Sequence, residues 1–268
     1  MKINSICSEA NSTLKTIRAL HKRQNREKEG LFLLEGSHCL IEALKRKLDL
    51  KAIVASKSYL QSGIEEIAEL DIEQIAVVED RLFESLATTH SSCGILAIAP
   101  IPKEEAERFS EWQPRVVLVA DAVQDPGNLG TLIRSAYAAQ VGGLVILKGS
   151  VDHFNPKVVR AAAGALFGLK IISNLEATEA VDLFKREKMR LIISEANANR
   201  NYFDANLKDS VAIVLSNEGQ GVNPLLKAAA DESISIPMNP ESESLNVAIS
   251  GGIILFEALR QRLAGSKN

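Results

Sequence analysis

"VVLVADAVQDPGNLGTLIRSAYA", Val116 to Ala138, runs from an apolar, β-branched stretch through a proline–glycine loop into an apolar stripe of helical spacing. Read as strand, loop and helix, it opens a parallel α/β unit. Pro126-Gly127 predicts a tight turn and Asn128 a helix cap. Leu129, Leu132, Ile133 and Ala136 form the expected buried face, with Arg134 at its edge in the second turn. Helix-start N–H groups followed by a guanidinium suit a phosphate or a ribose. Taken alone, a plain cap with a surface arginine is the simpler reading. A dinucleotide site fits poorly: the loop has only "GNLG" where G-x-G-x-x-G is needed, and Lys148, not an acid, follows the next strand.

Outward from this stretch, "LVIL" (Leu144–Leu147), "KIIS" (Lys170–Ser173), "LIIS" (Leu191–Ser194), "VAIVL" (Val211–Leu215) and "ISI" (Ile234–Ile236) read as further strands. They are short and apolar throughout, as strands covered on both faces are, with helical stretches between most of them. The expectation is a mainly parallel sheet over 115–268. Upstream, "LFLLE", "KAIVA", "QIAVV" and "GILAIA" read as strands, and "SHCLIEALKRK", "GIEEIAEL" and "EDRLFESLA" as helices. They give a smaller α/β domain over 1–100. Between the two, "PIPKEEAERFSEWQP" (Pro100–Pro114) is charged and proline-bounded, and 101–114 reads as a linker.

Composition narrows the function classes. The 268 residues are 46% hydrophobic and 24% charged, with net charge −3, which suits a soluble globular protein rather than a polycation. No apolar run reaches bilayer length and the N-terminus lacks a signal-peptide core, so neither membrane nor export is expected. Cys7, Cys39 and Cys93, like His21, His38, His90 and His153, are scattered. Reduced thiols in a cytoplasm and no metal centre are expected. A nucleic-acid partner would need a local basic patch. "LKTIRALHKRQNREK" (Leu14–Lys28) holds six Lys/Arg against one Glu. On one continuous helix Lys15, Arg18, Lys22 and Arg26 share a stripe, either a solvated face or a phosphate-tracking one.

Ligands of open parallel sheets bind beyond the carboxyl ends of strands, so the loops there are candidates. Besides the opening loop, "LSNEGQGV" (Leu215–Val222) combines two glycines with Glu218. In "IPMNPESESLNVAISGGIILFE" (Ile236–Glu257), Ser242 or Ser244 is an expected cap for a helix beginning near Leu245, with Asn246 in its first turn. Gly251-Gly252 inside that helix implies close packing.

Together and in this order, these loops resemble the signature motifs of the SpoU (TrmH-like) branch of the SPOUT RNA methyltransferases. "VVRAAAGALF" (Val158–Phe167) is similar to the family's stretch between the first two motifs. "REKEGLFLLEG" (Arg26–Gly36) and "CGILAIA" (Cys93–Ala99) are similar to its L30e-like substrate-binding domain. The resemblance implies S-adenosylmethionine bound in a deep C-terminal trefoil knot, a homodimer, and methylation of a ribose 2′-hydroxyl in RNA. Ribosomal (23S) RNA is the first expectation. Transfer RNA, or a non-catalytic role in ribosome assembly, is the alternative.

By position, the resemblance assigns Leu215, Ser216, Asn217, Glu218, Gly219, Ile236, Met238, Leu245 and Asn246 to the cofactor. It assigns Asn128, Arg134, Glu218, Ser244 and Asn246 to catalysis. Lys15, Arg18, Lys22, Arg26 and Arg134 are the expected RNA contacts. The family often has glycine at the position of Ser216 and serine at that of Ala162, where a hydroxyl toward RNA or cofactor would be lost. An arginine stays protonated in proteins, so Arg134 reads as a phosphate grip and charge stabiliser. Glu218, Ser244 or a water would take the proton.

Overall fold

The computed structural model describes residues 2–67, 72–87, 93–102, 106–112, 115–217 and 219–265. His90 and Glu218 lie outside them, as does the end of the expected helix "GIEEIAEL".

The elements, in chain order, begin with β1 (Lys2–Ser5), α1 (Ser12–Leu20), α2 (Arg23–Glu29), β2 (Leu31–Glu35), α3 (Ser37–Lys45) and β3 (Ala52–Ser56). Next come α4 (Lys57–Ser62), β4 (Gln74–Val78), α5 (Asp80–Glu84) and β5 (Ile95–Pro100). After a 3-10 helix, Ala106–Trp112, follow β6 (Val116–Asp121), α6 (Pro126–Ala138), β7 (Gly143–Leu147), α7 (Pro156–Ala161) and β8 (Ile171–Leu175). The chain continues through α8 (Ala177–Arg186), β9 (Arg190–Ser194), β10 (Arg200–Asn201) and β11 (Val211–Ser216). It ends with α9 (Pro224–Ala229), β12 (Glu232–Ser235) and α10 (Val247–Gly265).

Two compact units result. The first comprises Met1–Pro102 and Asp152–Phe167, the second Lys103–Val151 and Gly168–Asn268. The excursion Asp152–Phe167 departs from the expected contiguous boundaries, and side chains explain it. The Arg26 guanidinium, 2% exposed, meets the Asp152 carboxylate at 2.5 Å, and Arg160 meets buried Glu35 at 3.4 Å. Phe32 stacks with Phe154 and Phe167 at centroid distances of 4.7 and 6.3 Å.

The first unit's sheet has order β1-β4-β3-β5-β2. β1 and β3 flank β4 in parallel, and β5 runs antiparallel to both β3 and β2. "GIEEIAEL" does not form its expected α-helix over the described residues: the chain makes short α4 and then a 3-10 turn, Ile64–Ile67.

The second unit's sheet has order β10-β12-β9-β11-β6-β7-β8, with every described pairing parallel. β6 and β7 are buried along their whole length. Strand alternation splits β6 between two layers. Val117 and Val119 join Phe184, Leu183 and Leu226 of α8 and α9 in one core. On the other face α6 and α10 pack together. The presumed linker contributes to the first of these cores. Phe109, fully buried, sits 5.0 Å from Trp112 and 6.4 Å from Phe184 between ring centroids. Two aromatics in a short segment anchor it, so it does not behave as a spacer there.

Candidate active site

α6 begins at Pro126, because Asp125, not Asn128, accepts the capping bond: its Oδ1 takes the Asn128 N–H at 2.8 Å. Proline at the first helical position favours that choice. The earlier start moves Arg134 to the third turn. Asn128, freed from capping, uses its side chain elsewhere: its Oδ1 accepts Asn246 Nδ2–H at 2.9 Å.

Asn246 caps α10. Its Oδ1 accepts the N–H groups of Ala248 at 3.0 Å and Ile249 at 3.3 Å. The expected caps Ser242 and Ser244 do not perform this role; both lie exposed in the irregular stretch 236–246. One amide thus starts α10 and ties it to the first turn of α6.

The second and third loops converge on a cavity of about 360 Å³. Leu215, Ser216, Asn217, Ile236, Met238, Ser244 and Leu245 line it, together with Gly221, Val222, Val247 and Ser250. Of the other expected site residues, Gly219, Asn246, Asn128 and Arg134 are not in the wall. Gly219 donates its N–H to Asn217 Oδ1 at 2.8 Å, closing the loop on itself. Arg134 is exposed and, among the described residues, has no hydrogen-bond or ion-pair partner.

Sequence reading missed one wall. Ser194, Glu195, Ala196 and Asn197, just beyond β9, line the cavity, and Glu195 pairs with Lys227 at 2.5 Å. "LIIS" was legible as a strand, and its carboxyl end was the place to look. Yet "EANAN" carries no glycine or motif to mark it.

The expected basic stripe breaks. α1 ends at Leu20, and Lys22 is extended at φ −92°, ψ 131° before α2 begins. The break turns Arg26 inward, where it donates to Leu20 O at 2.8 Å, His21 O at 3.0 Å and Asp152. Arg26 therefore satisfies orphan carbonyls at a helix end and does not face RNA. Arg18 donates to Glu9 O at 3.0 Å and to Ser85 Oγ at 3.4 Å, while Lys15 and Lys22 are exposed. Ala162 is fully buried.

A family model for the SpoU rRNA methylase family matches residues 115–256, more than half of the chain. The chain belongs to the SpoU rRNA methylase family. Residues 11–97 match an MRM3-like substrate binding domain. The SpoU chain is 32% identical to the 23S rRNA (guanosine(2553)-2′-O)-methyltransferase RlmP of Bacillus subtilis, over 95% of this chain and 98% of that one. It superposes on a crystal structure of an RNA 2′-O ribose methyltransferase with TM-score 0.85 and 30% identity, covering 97% and 99% of the two chains. It also superposes on the SpoU methyltransferase AviRb of Streptomyces viridochromogenes in complex with AdoMet. There the TM-score is 0.82 and the identity 25%, over 95% and 100% of the chains.

The cavity suits that cofactor. Its volume lies within the range of small-molecule sites. Leu215, Ile236, Met238, Leu245 and Val247 offer an apolar bed, and Ser216, Asn217, Asn197 and Glu195 offer polar ends. Among the described residues no cluster of three or more His, Cys, Asp or Glu is arranged for a metal, and no helix is long and apolar enough to cross a membrane.

Proposed function

We propose that this protein methylates a ribose 2′-hydroxyl of ribosomal RNA, 23S RNA first, using S-adenosylmethionine. The observation that carries this is the convergence of the loops after β9, β11 and β12 on one cavity, with Asn246 bonded to Asn128 on α6. Asn246 links the cofactor side to the helix that presents Arg134.

Bound S-adenosylmethionine supplies an electrophilic sulfonium methyl. The chain's residues must bring the 2′-oxygen in line with it, hold charge and accept a proton. Arg134, exposed and without a partner among the described residues, grips the neighbouring phosphate and stabilises negative charge developing on the oxygen. Ser244 in the cavity wall, Glu218 of the second loop, or a water takes the proton. Leu215, Ser216, Asn217, Ile236, Met238 and Leu245 hold the cofactor, with Gly219 and Asn246 shaping their loops. Glu195 and Lys227, paired with each other, bring one charge of each sign to the cavity wall. Lys15 and Lys22 are the phosphate contacts of the first unit.

We further propose a homodimer and a C-terminal trefoil knot. Ile249, Phe256 and Leu263 are each about half exposed and seven residues apart, an uncovered apolar stripe along α10 that a second copy would bury. β12 lies beyond β9 from β11, and α10 then returns to pack on α6 and β11. That return across β9 supports the knot. We propose a cytoplasmic location, in keeping with a ribosomal substrate.

Mapping 2′-O-methylation across all RNAs in cells with and without the gene tests the assignment. Loss of a ribosomal site is expected; loss only from transfer RNA would reassign the substrate. Arg134→Ala is expected to abolish methyl transfer, by a factor of about 10² or more, with S-adenosylmethionine affinity within about twofold. Loss of cofactor binding in that variant would place Arg134 on the wrong side of the site.

A further inference from the structure

Asp121 ends β6, which lies between β11 and β7. The residue is 4% exposed. Its backbone carbonyl accepts the Asn217 N–H at 3.2 Å, and its Oδ2 accepts the Asn223 N–H at 2.7 Å. These two amides are the first and last of the loop 217–223 that joins β11 to α9. Within that span, the Asn217 carbonyl accepts the Gly221 N–H at 3.0 Å. A single residue therefore holds both ends of a loop whose Asn217, Gly221 and Val222 line the cavity.

Asp121 is also the root of the loop leading to Asn128. Ala122 turns the chain at φ 52°, an uncommon conformation for a residue with a side chain. Ser150 Oγ then fixes the turn, accepting from Val123 N–H at 3.1 Å and donating to Ala120 O at 3.2 Å. A buried carboxylate is costly unless hydrogen-bonded, and the side-chain bond this one makes is to the cofactor loop. Burial pushes the carboxyl above its usual range, while the Asn223 N–H opposes that shift. Asp121 and Asn223 also line a small cavity with Lys148 and Glu176, which pair with each other at 2.5 Å.

We propose that Asp121 is a positioning residue, which holds Asn217 and Asn223, the two ends of the loop between β11 and α9, ready for cofactor and ties them to the base of the loop that leads to Asn128. The proposal rests on the methyltransferase reading. It assigns the loop's order before ligand arrives to Asp121 and not to the cofactor.

The test is calorimetric titration of S-adenosylhomocysteine into the full-length wild type, Asp121→Ala and Asp121→Asn, with a denaturation midpoint for each. Asp121→Ala should bind about tenfold more weakly or worse while folded, the scale of a lost hydrogen bond to a charged group. Asp121→Asn keeps an oxygen acceptor and should recover most of the affinity. Unchanged affinity in folded Asp121→Ala overturns the proposal. Should that variant fail to fold, amide exchange in the ligand-free wild type decides. Slow exchange at both Asn217 and Asn223 supports the clamp, and fast exchange at both overturns it. A wild type that binds no S-adenosylhomocysteine overturns the methyltransferase reading itself, and this inference with it.

Discussion

At the scale of the residue, Arg26 shows where sequence reading stops. Its spacing from Lys22 fits a continuous helix face, and nothing in the letters says that the helix breaks between them. The structure spends its guanidinium on two carbonyls and Asp152 in the interior. Removing one partner of a buried pair leaves the other uncompensated. Arg26→Ala should therefore lower unfolding free energy by on the order of 3 kcal/mol, read from denaturant midpoints. Arg26→Lys should rescue only part, because an ammonium cannot reproduce the fork. Cys39 offers a second check. Burial pushes its thiol up to about 11, and Sγ points to Val159 O at 3.7 Å. At pH 8 a thiol reagent should modify exposed Cys7 and Cys93 and spare Cys39 until unfolding. The folded state holds this proton more tightly than the unfolded state does. Its contribution is complete below pH 9 and is lost as pH climbs toward 11.

At the scale of the element, the type and order of the apolar strands were legible; the helix expected over "GIEEIAEL", the break between α1 and α2, and the starting points of α6 and α10 were not. "DPGN" holds two residues able to cap, and Pro126 settles the choice for Asp125. "SESLN" holds three, and Asn246 wins while its amide also reaches Asn128. A tertiary bond decided that cap, so local propensity could not. The adjacent glycines of α10 divide in the same way. A Cβ on Gly251 would lie 2.3 Å from Leu132 Cδ2 and 2.8 Å from Leu215 Cδ1, whereas one on Gly252 meets nothing within 4 Å. Gly251→Ala should destabilise by about 1–3 kcal/mol through overpacking of α10 on α6 and β11. Gly252→Ala should be neutral or add up to about 1 kcal/mol of helix propensity. Thermal melts of the two variants separate the effects, and equal shifts would refute the packing argument.

At the scale of the molecule, the parallel sheet could be read because strands covered on both faces are apolar throughout. β1 could not: its residues are exposed on both sides and carry no such signal. The proposed dimer is tested here. Phe256→Lys puts a charge in the middle of the exposed stripe of α10 and should shift light-scattering mass from dimer to monomer without altering the fold; an unchanged dimer would move the interface elsewhere. The segment Asp152–Phe167 has a different consequence. The chain passes between its two units at 102–103, again at 151–152 and again at 167–168. Neither unit is then a cassette that recombination can lift out whole. A cut at 114 would strand Phe154, Val158, Val159 and Leu166, all buried within the first unit, on a fragment with nothing to cover them. An engineer who wants a new RNA specificity by grafting a foreign N-terminal domain must transplant this inner segment too.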